Sequence, residues 1–257
     1  KMSINSSVLK REKNIIRLSY KDIVMLKKEI IYRNPLVKLG YEQEDILQNG
    51  GLGAVMAHAG VGKTALLVQV ALNMMIREES VLHVSLQDAV SKVDLWYREM
   101  FHNIAASFTE AEIQEYWDKI QPYRFIMTFR VESFSVPTLE ERMTDLLQQN
   151  IFKPHTMIID GLRFDQAGRE QLLLLKDLAK KYAMRIWFTV HAHRHERPAD
   201  NGLPVSFLHV ADLFDVIVQL EAKSDEIYII ALKGQSSDVK QHSLLLDPAT
   251  MLIKVGK

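Results

Sequence analysis

Cysteine is absent from this chain of 257 residues. Disulfides, cysteine-ligated zinc, iron–sulfur clusters and thiol nucleophiles are therefore excluded as sources of stability or chemistry. The sequence also lacks a run of about 18 apolar residues, which a membrane-spanning helix needs. Residues 1–17 are polar and basic and lack the apolar stretch of a signal peptide. We therefore expect a cytoplasmic protein that has no membrane partner.

A net charge of either sign is likewise missing, because 32 basic side chains balance 32 acidic ones. This balance excludes a global basic field of the kind that attracts nucleic acid or anionic lipid, although a local basic patch is still allowed. Apolar residues make up 47% of the chain and charged residues 25%, which is the globular average. A chain of this length can bury a large core without disulfides or structural metals.

The sequence pattern divides the chain into an amino-terminal helical segment, residues 1–48, and one domain, residues 49–257. In the first segment a short amphipathic helix is expected to end at Asn34-Pro35, with irregular chain over residues 35–50. The domain alternates apolar runs with helical patterns, which predicts an α/β fold with a parallel sheet and helices on both faces. The expected strands are Gly53–Ala57, Val81–Leu86, Arg124–Phe129, Thr156–Asp160, Ile186–Val190, Val216–Leu220, Glu226–Leu232 and Ser243–Leu246.

Helices are expected between the first five strands. The helical patterns are Lys63–Arg77, a stripe from Val93 to Phe101, two capping-box starts at Thr109/Glu112 and Thr138/Glu141, and Leu172–Tyr182. After Asp212 short strands follow one another with only turns between them, such as Lys223-Ser224-Asp225. The last strands are therefore expected to be antiparallel.

A glycine-rich loop joins the first expected strand to the first helix. It comprises Ala57, His58, Ala59, Gly60, Val61, Gly62, Lys63 and Thr64, with Ala65 opening the helical run. Gly60 and Gly62 allow backbone N–H groups to curl round phosphate oxygens, and the positive end of the following helix strengthens such an anion site. Lys63 can reach the β- and γ-phosphates, and the Thr64 hydroxyl can bind Mg²⁺. The pattern predicts a nucleotide-binding loop in which Ala57 replaces the usual first glycine.

A second candidate ligand closes the apolar strand Thr156–Asp160. A carboxylate at the end of such a strand is where nucleoside triphosphatases hold Mg²⁺ and its water. Many strands end in Asp before Gly, so the pattern is weak alone and gains weight from the phosphate loop upstream. We therefore predict that Thr64 and Asp160 form a magnesium site.

These motifs occur in an order that matches a known family. Residues 50–53, the phosphate loop, Val81–Leu86 with Gln87-Asp88, and the Asp160 strand follow one another along the chain. The chain resembles the RecA-like P-loop ATPases, nearest the branch of KaiC-type and DnaB-type helicase proteins, over roughly residues 40–250. The resemblance implies a RecA-like core, Mg-ATP binding, and a homo-oligomeric ring or filament with ATP between subunits.

The chain departs from the family where hydrolysis is concerned. In the family the second strand usually ends in Glu, which polarises the attacking water, whereas Gln87 stands here and Asp88 follows. An amide can orient a water but cannot accept its proton. Asp88 can replace the carboxylate if the loop turns it inward, since on a regular strand it would face the opposite side. We expect slow hydrolysis with Asp88 as the candidate base and Gln87 beside it.

The resemblance implies roles for two further residues. His191 aligns with the family's γ-phosphate sensor, although a surface loop histidine is the equally good alternative. Lys233 matches the first basic position that several members send into the neighbouring subunit's ATP. Gln235 stands where a second basic residue is common, and one fewer cation weakens stabilisation of the transition state.

Other clusters allow other functions. His191, His193 and His195 alternate as strand residues do and, with Glu196, could bind a metal, although neighbouring histidines are often coincidental. A basic helix end, or Arg194 and Arg197, could contact DNA, but a solvated basic face is the more ordinary interpretation. The basic helix end comprises Lys176, Lys180, Lys181 and Arg185, and an aromatic group that is better explained as core than as a base-stacking platform comprises Trp96, Tyr97 and Phe101.

The sequence favours a Mg²⁺-dependent ATP-binding protein with slow hydrolysis, a nucleotide-gated switch or ATPase. One alternative is a recombinase- or helicase-like ATPase that depends on single-stranded DNA. Another is a scaffold that binds nucleotide without hydrolysing it. Charge balance, Gln87 and Gln235 together favour the switch over a fast motor.

Overall fold

The computed structural model describes residues 25, 27, 28, 30, 31, 34–39, 46–164, 168–192, 196, 199, 200, 202–234 and 243–254. Its strands are β1 (Leu52–Ala57), β2 (Val81–Ser85), β3 (Arg124–Thr128), β4 (Thr156–Asp160), β5 (Arg185–His191), β6 (Val216–Lys223), β7 (Glu226–Lys233) and β8 (Ser243–Leu246). Its helices are α1 (Pro35–Lys38), α2 (Lys63–Ile76), α3 (Val90–Ile104), α4 (Glu110–Ile120), α5 (Val136–Gln148) and α6 (Arg169–Lys181).

The strands form one sheet in the order β3-β2-β4-β5-β1-β6-β7-β8. The strands from β3 to β6 in this order are parallel, whereas β7 and β8 pair antiparallel beyond β6. The predicted α/β fold, a mostly parallel sheet with antiparallel strands at its carboxyl-terminal end, is confirmed. β6 belongs to the parallel part because it pairs parallel with β1. It also forms an antiparallel hairpin with β7, which turns at Ser224.

Two apolar cores cover the two faces of the sheet. Successive side chains of β1 alternate between them, so that Val55 and Ala57 face one core while Ala54 and Met56 face the other. The first core lies under α2, α3 and α4, and α2 is buried along almost its whole length. The second core lies under α5 and α6 and contains the aromatic rings of Phe164, Phe188, Phe207 and Phe214.

Helix starts follow their capping residues, with one correction to the sequence-based prediction. Thr109 and Glu112 form the predicted reciprocal capping box of α4. The predicted start at Thr138 is wrong because α5 begins three residues earlier, where the Ser135 side chain accepts the Thr138 N–H. Proline in the first turn favours this earlier start, since its fixed φ suits a helix and its missing N–H costs nothing there.

The segment before the sheet is also more regular than expected. Residues 35–50 were predicted to be irregular, but the Asn34 side chain accepts the Leu36 N–H and begins the short helix α1. Leu36, Leu39 and Leu47 are buried in the first core. Among the described residues no helix is long and apolar enough to cross a membrane.

Candidate nucleotide-binding site

The carboxyl ends of the parallel strands meet at one edge of the sheet, where the chain crosses from strand to helix. A cleft of about 620 Å³ opens at this edge. Its walls come from the loop after β1, the start of α2, the loops after β2, β4 and β5, and α3. The topology therefore brings the sequence-predicted site residues of four separate segments into one cavity.

The predicted phosphate loop forms a tight connection between β1 and α2. Gly60 and Gly62 have φ values of +79° and +104°, in the left-handed region that favours glycine. Gly62 is the N-cap of α2. Its conformation directs the first N–H groups of this 14-residue helix toward the cleft, with the positive end of the helix dipole behind them.

Most of the predicted nucleotide-binding residues line the cleft. The lining includes Ala59, Gly60, Gly62, Lys63, Thr64 and Ala65. The remaining members of the motif hold the loop in place instead. Val61 packs against the first core, Ala57 closes β1, and the His58 ring nitrogen Nδ1 lies 2.8 Å from the carbonyl oxygen of Ala192.

Lys63 lies across the phosphate loop. Its Nζ donates to the carbonyl oxygens of Ala57 at 3.1 Å and His58 at 3.0 Å. Burial lowers the pKa of the Lys63 ammonium, and the nearby Asp160 carboxylate acts in the opposite direction. The ammonium is thus held over the loop by two neutral acceptors.

Asp160 accepts hydrogen bonds from hydroxyl groups on two elements. Its Oδ2 accepts from Thr64 Oγ1 at 2.8 Å, and its Oδ1 accepts from Thr189 Oγ1 at 2.6 Å. Thr189 in turn accepts the Gly161 N–H at 3.0 Å. The structure brings the predicted pair Thr64 and Asp160 together, and it adds Thr189, which sequence reasoning missed. The pairing of β4 with β5 places Thr189 beside Asp160, and that pairing is not visible in the sequence.

Gln87 and Asp88 lie beyond the end of β2, which stops at Ser85. Both line the cleft, so the strict alternation of a strand does not govern them. Gln87 is exposed and lies over Gly161, where a Cβ would come within 2.8 Å of the Gln87 side chain. The Asp88 N–H donates to Ser85 Oγ at 3.0 Å, and its carboxylate pairs with Lys92 at 2.7 Å.

Two sides of the cleft can thus be distinguished. The side that holds the predicted phosphate loop, here called the phosphate side, comprises Ala59, Gly60, Gly62, Lys63, Thr64, Asp160 and Thr189. The water side comprises Gln87, Asp88 and Lys92. Lys92 was not predicted from the sequence, although its position four residues after Asp88 at the start of a helix is a signal for an ion pair.

His191 closes β5 and its exposed side chain lines the cleft. The next residue, Ala192, donates its N–H to the Ala57 carbonyl at 3.0 Å and ties the end of β5 to the phosphate loop. His193 and His195 lie outside the described residues, so the three-histidine metal hypothesis stays a prediction. Among the residues that the structure describes, no group of three His, Cys, Asp or Glu side chains could hold a metal ion.

Comparison with known proteins adds to this geometry. No protein-family model matches the chain, and no curated protein matches it. Among solved structures, the chain is similar to the ATPase domain of G40P, with a TM-score of 0.58 and 16% sequence identity over 81% of this chain and 86% of that one.

The chain has a RecA-like α/β fold. A likeness at this low identity concerns the fold alone. The chemistry of the site depends on the residues of the cleft.

Lys233 lies away from the phosphate loop of its own chain. Through β6 it stands level with Ala54 of β1, about 10 Å before Ala57 along the strand direction. Its Nζ donates to the carbonyl oxygens of Ala211 at 3.1 Å and Asp212 at 3.5 Å. The structure therefore does not place Lys233 in the cleft that the other predicted residues share.

The basic residues at the end of α6 all have acceptors within the chain. Lys180 contacts Asp177 on the same helix. The other contacts reach neighbouring elements: Lys176 with the Leu213 carbonyl, Lys181 with Glu140, and Arg185 with Glu79. These contacts favour the interpretation of the basic helix end as an ordinary charged surface. The second candidate DNA contact, Arg194 and Arg197, lies outside the described residues.

The aromatic group of α3 belongs mainly to the core, as expected. Tyr97 and Phe101 are buried, and Phe101 packs against Tyr116 and Trp117 of α4. Trp96 is partly buried against this core and also lines the cleft.

The buried residues His83 and Tyr97 lie directly behind the phosphate side. His83 of β2 is 0% exposed, and its Nε2 lies 4.0 Å from Asp160 Oδ2. Its Nδ1 lies 3.1 Å from the Tyr97 hydroxyl. Burial lowers the pKa of His83 to about 4, with Asp160 acting against this shift and Arg124 adding to it. The imidazole is therefore neutral near pH 7.

Proposed function

We propose that this chain is a Mg²⁺-dependent ATP-binding protein of the RecA-like type that hydrolyses ATP slowly and acts as a nucleotide-gated switch. The observation that carries the proposal is the meeting of the glycine loop, Lys63 and the Thr64–Asp160 pair at one end of a single cleft. Each element alone has ordinary structural explanations. Together they supply an anion cradle, a cation and two hard oxygen atoms within one cavity.

The side chains fit magnesium. Mg²⁺ prefers oxygen ligands and keeps several of its waters, and it is usually held by one or two protein oxygens plus phosphate. The Thr64 hydroxyl and the Asp160 carboxylate lie 2.8 Å apart, so both oxygens can serve the same ion or its waters. A bound metal would neutralise charge on the phosphate oxygens as the terminal phosphate leaves.

Lys63 is held in readiness for phosphate. Its present acceptors are two neutral carbonyl oxygens, whereas phosphate oxygens carry negative charge and form stronger hydrogen bonds with an ammonium. We propose that Lys63 turns from these carbonyls to the β- and γ-phosphates. The N–H groups at the start of α2 would donate to the same phosphates.

The water side supports the slow rate. Gln87 can orient a water through its amide but cannot take up the proton, so that role falls to Asp88. Asp88 is engaged by the Lys92 ammonium, which competes with any water for the carboxylate. His191 would contact the γ-phosphate as a sensor, since it lines the cleft at the end of β5 next to the phosphate loop.

Binding and turnover can be tested with one lysine variant. A fluorescent ATP analogue should bind the wild type in the presence of Mg²⁺, and Lys63→Ala should weaken this binding about 100-fold, because it removes charge-assisted hydrogen bonds to phosphate. Lys119→Ala, on the surface of α4 and away from the cleft, is the matched control and should bind as the wild type does. Wild-type binding that Lys63→Ala leaves unchanged would contradict the proposal.

Phosphate release then separates the enzyme from the scaffold. The wild type should release phosphate from ATP slowly but above the Lys63→Ala background. Release no faster than that background, with binding intact, would favour a scaffold that binds nucleotide without hydrolysing it. Strong stimulation by single-stranded DNA at low salt, where electrostatic binding is strongest, would favour the recombinase- or helicase-like alternative.

We also propose that the chain assembles with copies of itself, as the resemblance to the KaiC-type and DnaB-type branch implies. The position of Lys233 fits this proposal, because the residue lies about 10 Å below the phosphate loop and outside the cleft of its own chain. Sizing the protein with and without Mg-ATP tests the proposal. A ring or filament that appears with nucleotide, and loses activity in Lys233→Gln, is the expected result.

A further inference from the structure

His83 is the one buried imidazole that points at the predicted magnesium carboxylate in the described part of the chain. The register of β2 with β4 pairs Ser85 with Asp160 and His83 with Ile158, so His83 lies one pleat below Asp160 on the same face of the sheet. Its Nε2 has no hydrogen-bond partner among the described residues. Leaving a buried polar atom unpaired destabilises the fold, and an apolar side chain at this site would avoid that cost.

The hydroxyl of Tyr97 decides which ring nitrogen carries the proton. Neutral imidazole has one N–H, and Tyr97 can either donate to Nδ1 or accept from it. If Tyr97 accepts, the Nε2 lone pair faces the Asp160 carboxylate and repels it. If Tyr97 donates, Nε2 carries the proton and presents it to Asp160 Oδ2 at 4.0 Å. Burial raises the pKa of the Tyr97 phenol, so the hydroxyl keeps its proton and can donate it. The Asp160 carboxylate favours this arrangement, because it attracts an N–H at Nε2 and repels a lone pair there.

We propose that His83, oriented by Tyr97, is a positioning residue that directs an N–H at Asp160 and fixes the carboxylate for magnesium. This inference rests on the proposed nucleotide function. A carboxylate has about four lone-pair sites, and Thr64 and Thr189 already occupy one on each oxygen. His83 would constrain a third, leaving one site of Asp160 to serve the hydrated ion.

The distance suits an indirect role in this structure. At 4.0 Å the contact is electrostatic, and a shift of Asp160 by about 1 Å would make it a direct hydrogen bond. Outer partners of this kind orient the ligands of a metal, and their loss typically costs about 10- to 100-fold in metal affinity. The expected consequence of losing His83 is thus a lower affinity for Mg²⁺ and not a loss of nucleotide recognition.

The test compares nucleotide binding at varied Mg²⁺ with binding in EDTA, using the fluorescent ATP analogue. His83→Met replaces the ring with an apolar side chain and should raise the Mg²⁺ concentration at half-saturation about tenfold. Binding in EDTA should stay within about twofold of the wild type. His83→Gln, whose amide N–H can replace Nε2–H, should bring the Mg²⁺ concentration at half-saturation most of the way back to the wild-type value.

A second variant keeps the test independent of folding. Tyr97→Phe removes only the hydroxyl that fixes the tautomer, and it should raise the Mg²⁺ half-saturation by a smaller factor, about threefold. Thr189→Val, which removes a hydrogen bond to Asp160, is the positive control. An unchanged half-saturation in both His83→Met and Tyr97→Phe, or an equal loss of binding in EDTA, overturns the inference while leaving the proposed function standing. A wild type that binds no Mg-ATP overturns the proposed function itself.

Discussion

The phosphate side and the water side of the cleft are held in different ways. On the phosphate side, Asp160 accepts hydrogen bonds from the half-buried Thr64 of α2 and from the buried Thr189 of β5, and the buried His83 lies behind it. On the water side, Gln87 is exposed and Asp88 depends on an ion pair with an exposed lysine. Buried, cross-strand contacts preorganise a site, whereas exposed ion pairs contribute little to fixing geometry. The difference is what a protein that holds ATP well and hydrolyses it slowly would need.

The largest expected effect is a loss of folding stability at acid pH that comes from His83, the buried residue behind the phosphate side. Burial lowers the pKa of His83 from its ordinary value of 6.5 to about 4. Between these values the unfolded chain binds a proton that the folded chain excludes, so stability is complete above pH 6.5 and is lost as the pH falls. The full loss is about 3 kcal/mol, of which about 2 kcal/mol is reached by pH 5.

Urea unfolding at pH 7.5 and pH 5 measures this loss. The wild type should lose about 2 kcal/mol more than His83→Met between the two values, because the variant has no buried imidazole to protonate. His102→Gln removes an exposed histidine and should follow the wild type. Equal losses in the wild type and His83→Met would show that His83 is as easily protonated in the folded state as in the unfolded chain.

The second prediction removes the base from the water side. Asp88→Asn keeps the shape of the side chain but cannot accept a proton, so steady-state phosphate release should fall about 30-fold. Binding of the fluorescent ATP analogue should stay within about twofold, since Asp88 contributes nothing to the phosphate side. Asp118→Asn on α4 makes the same change away from the cleft and should be neutral. Unchanged release in Asp88→Asn would remove Asp88 from the mechanism.

The third prediction makes the water side more like the phosphate side. Gln87→Glu places a carboxylate in the loop over Gly161, at the position where the resemblance to RecA-like ATPases leads us to expect one. A proton acceptor beside the attacking water should raise phosphate release about tenfold without tightening binding. Gln114→Glu on the surface of α4 is the control. A rate that stays at the wild-type value would mean that the position of Gln87, and not its amide, limits hydrolysis.

The sequence predicted the residues of the glycine loop better than the groups that support Asp160, for a physical reason. The loop from Ala57 to Thr64 is a contiguous motif: its glycines meet a local backbone requirement, and the lysine and hydroxyl follow at a fixed spacing. Asp160 could be predicted from the sequence because parallel strands end at the same edge of the sheet. Thr189 and His83 were not predicted from the sequence. Thr189 lies near Asp160 because β4 pairs with β5, and His83 does so because β4 pairs with β2, and no local pattern shows either pairing.

Local signals also explain which element boundaries were predicted correctly. Thr109 and Glu112 carry both halves of a capping box, and the helix begins there as expected. Thr138 and Glu141 carry the same pattern, yet Ser135 caps the helix because the proline that follows favours an earlier start. A pattern of residue types thus locates a helix, while competition between neighbouring caps decides its first turn.

The smallest expected effect tests the ion pair that distinguishes the water side. Lys92→Gln releases Asp88 from its partner four residues away, and exposed pairs of this spacing are worth about 0.3–0.5 kcal/mol. Phosphate release should therefore rise about twofold, with nucleotide binding unchanged. Lys119→Gln breaks an ion pair of the same spacing and length, with Glu115, outside the cleft and should leave the rate alone. A fall in Lys92→Gln would instead show that the lysine contributes charge to the nucleotide, and the two sides of the cleft would then share the work of binding it.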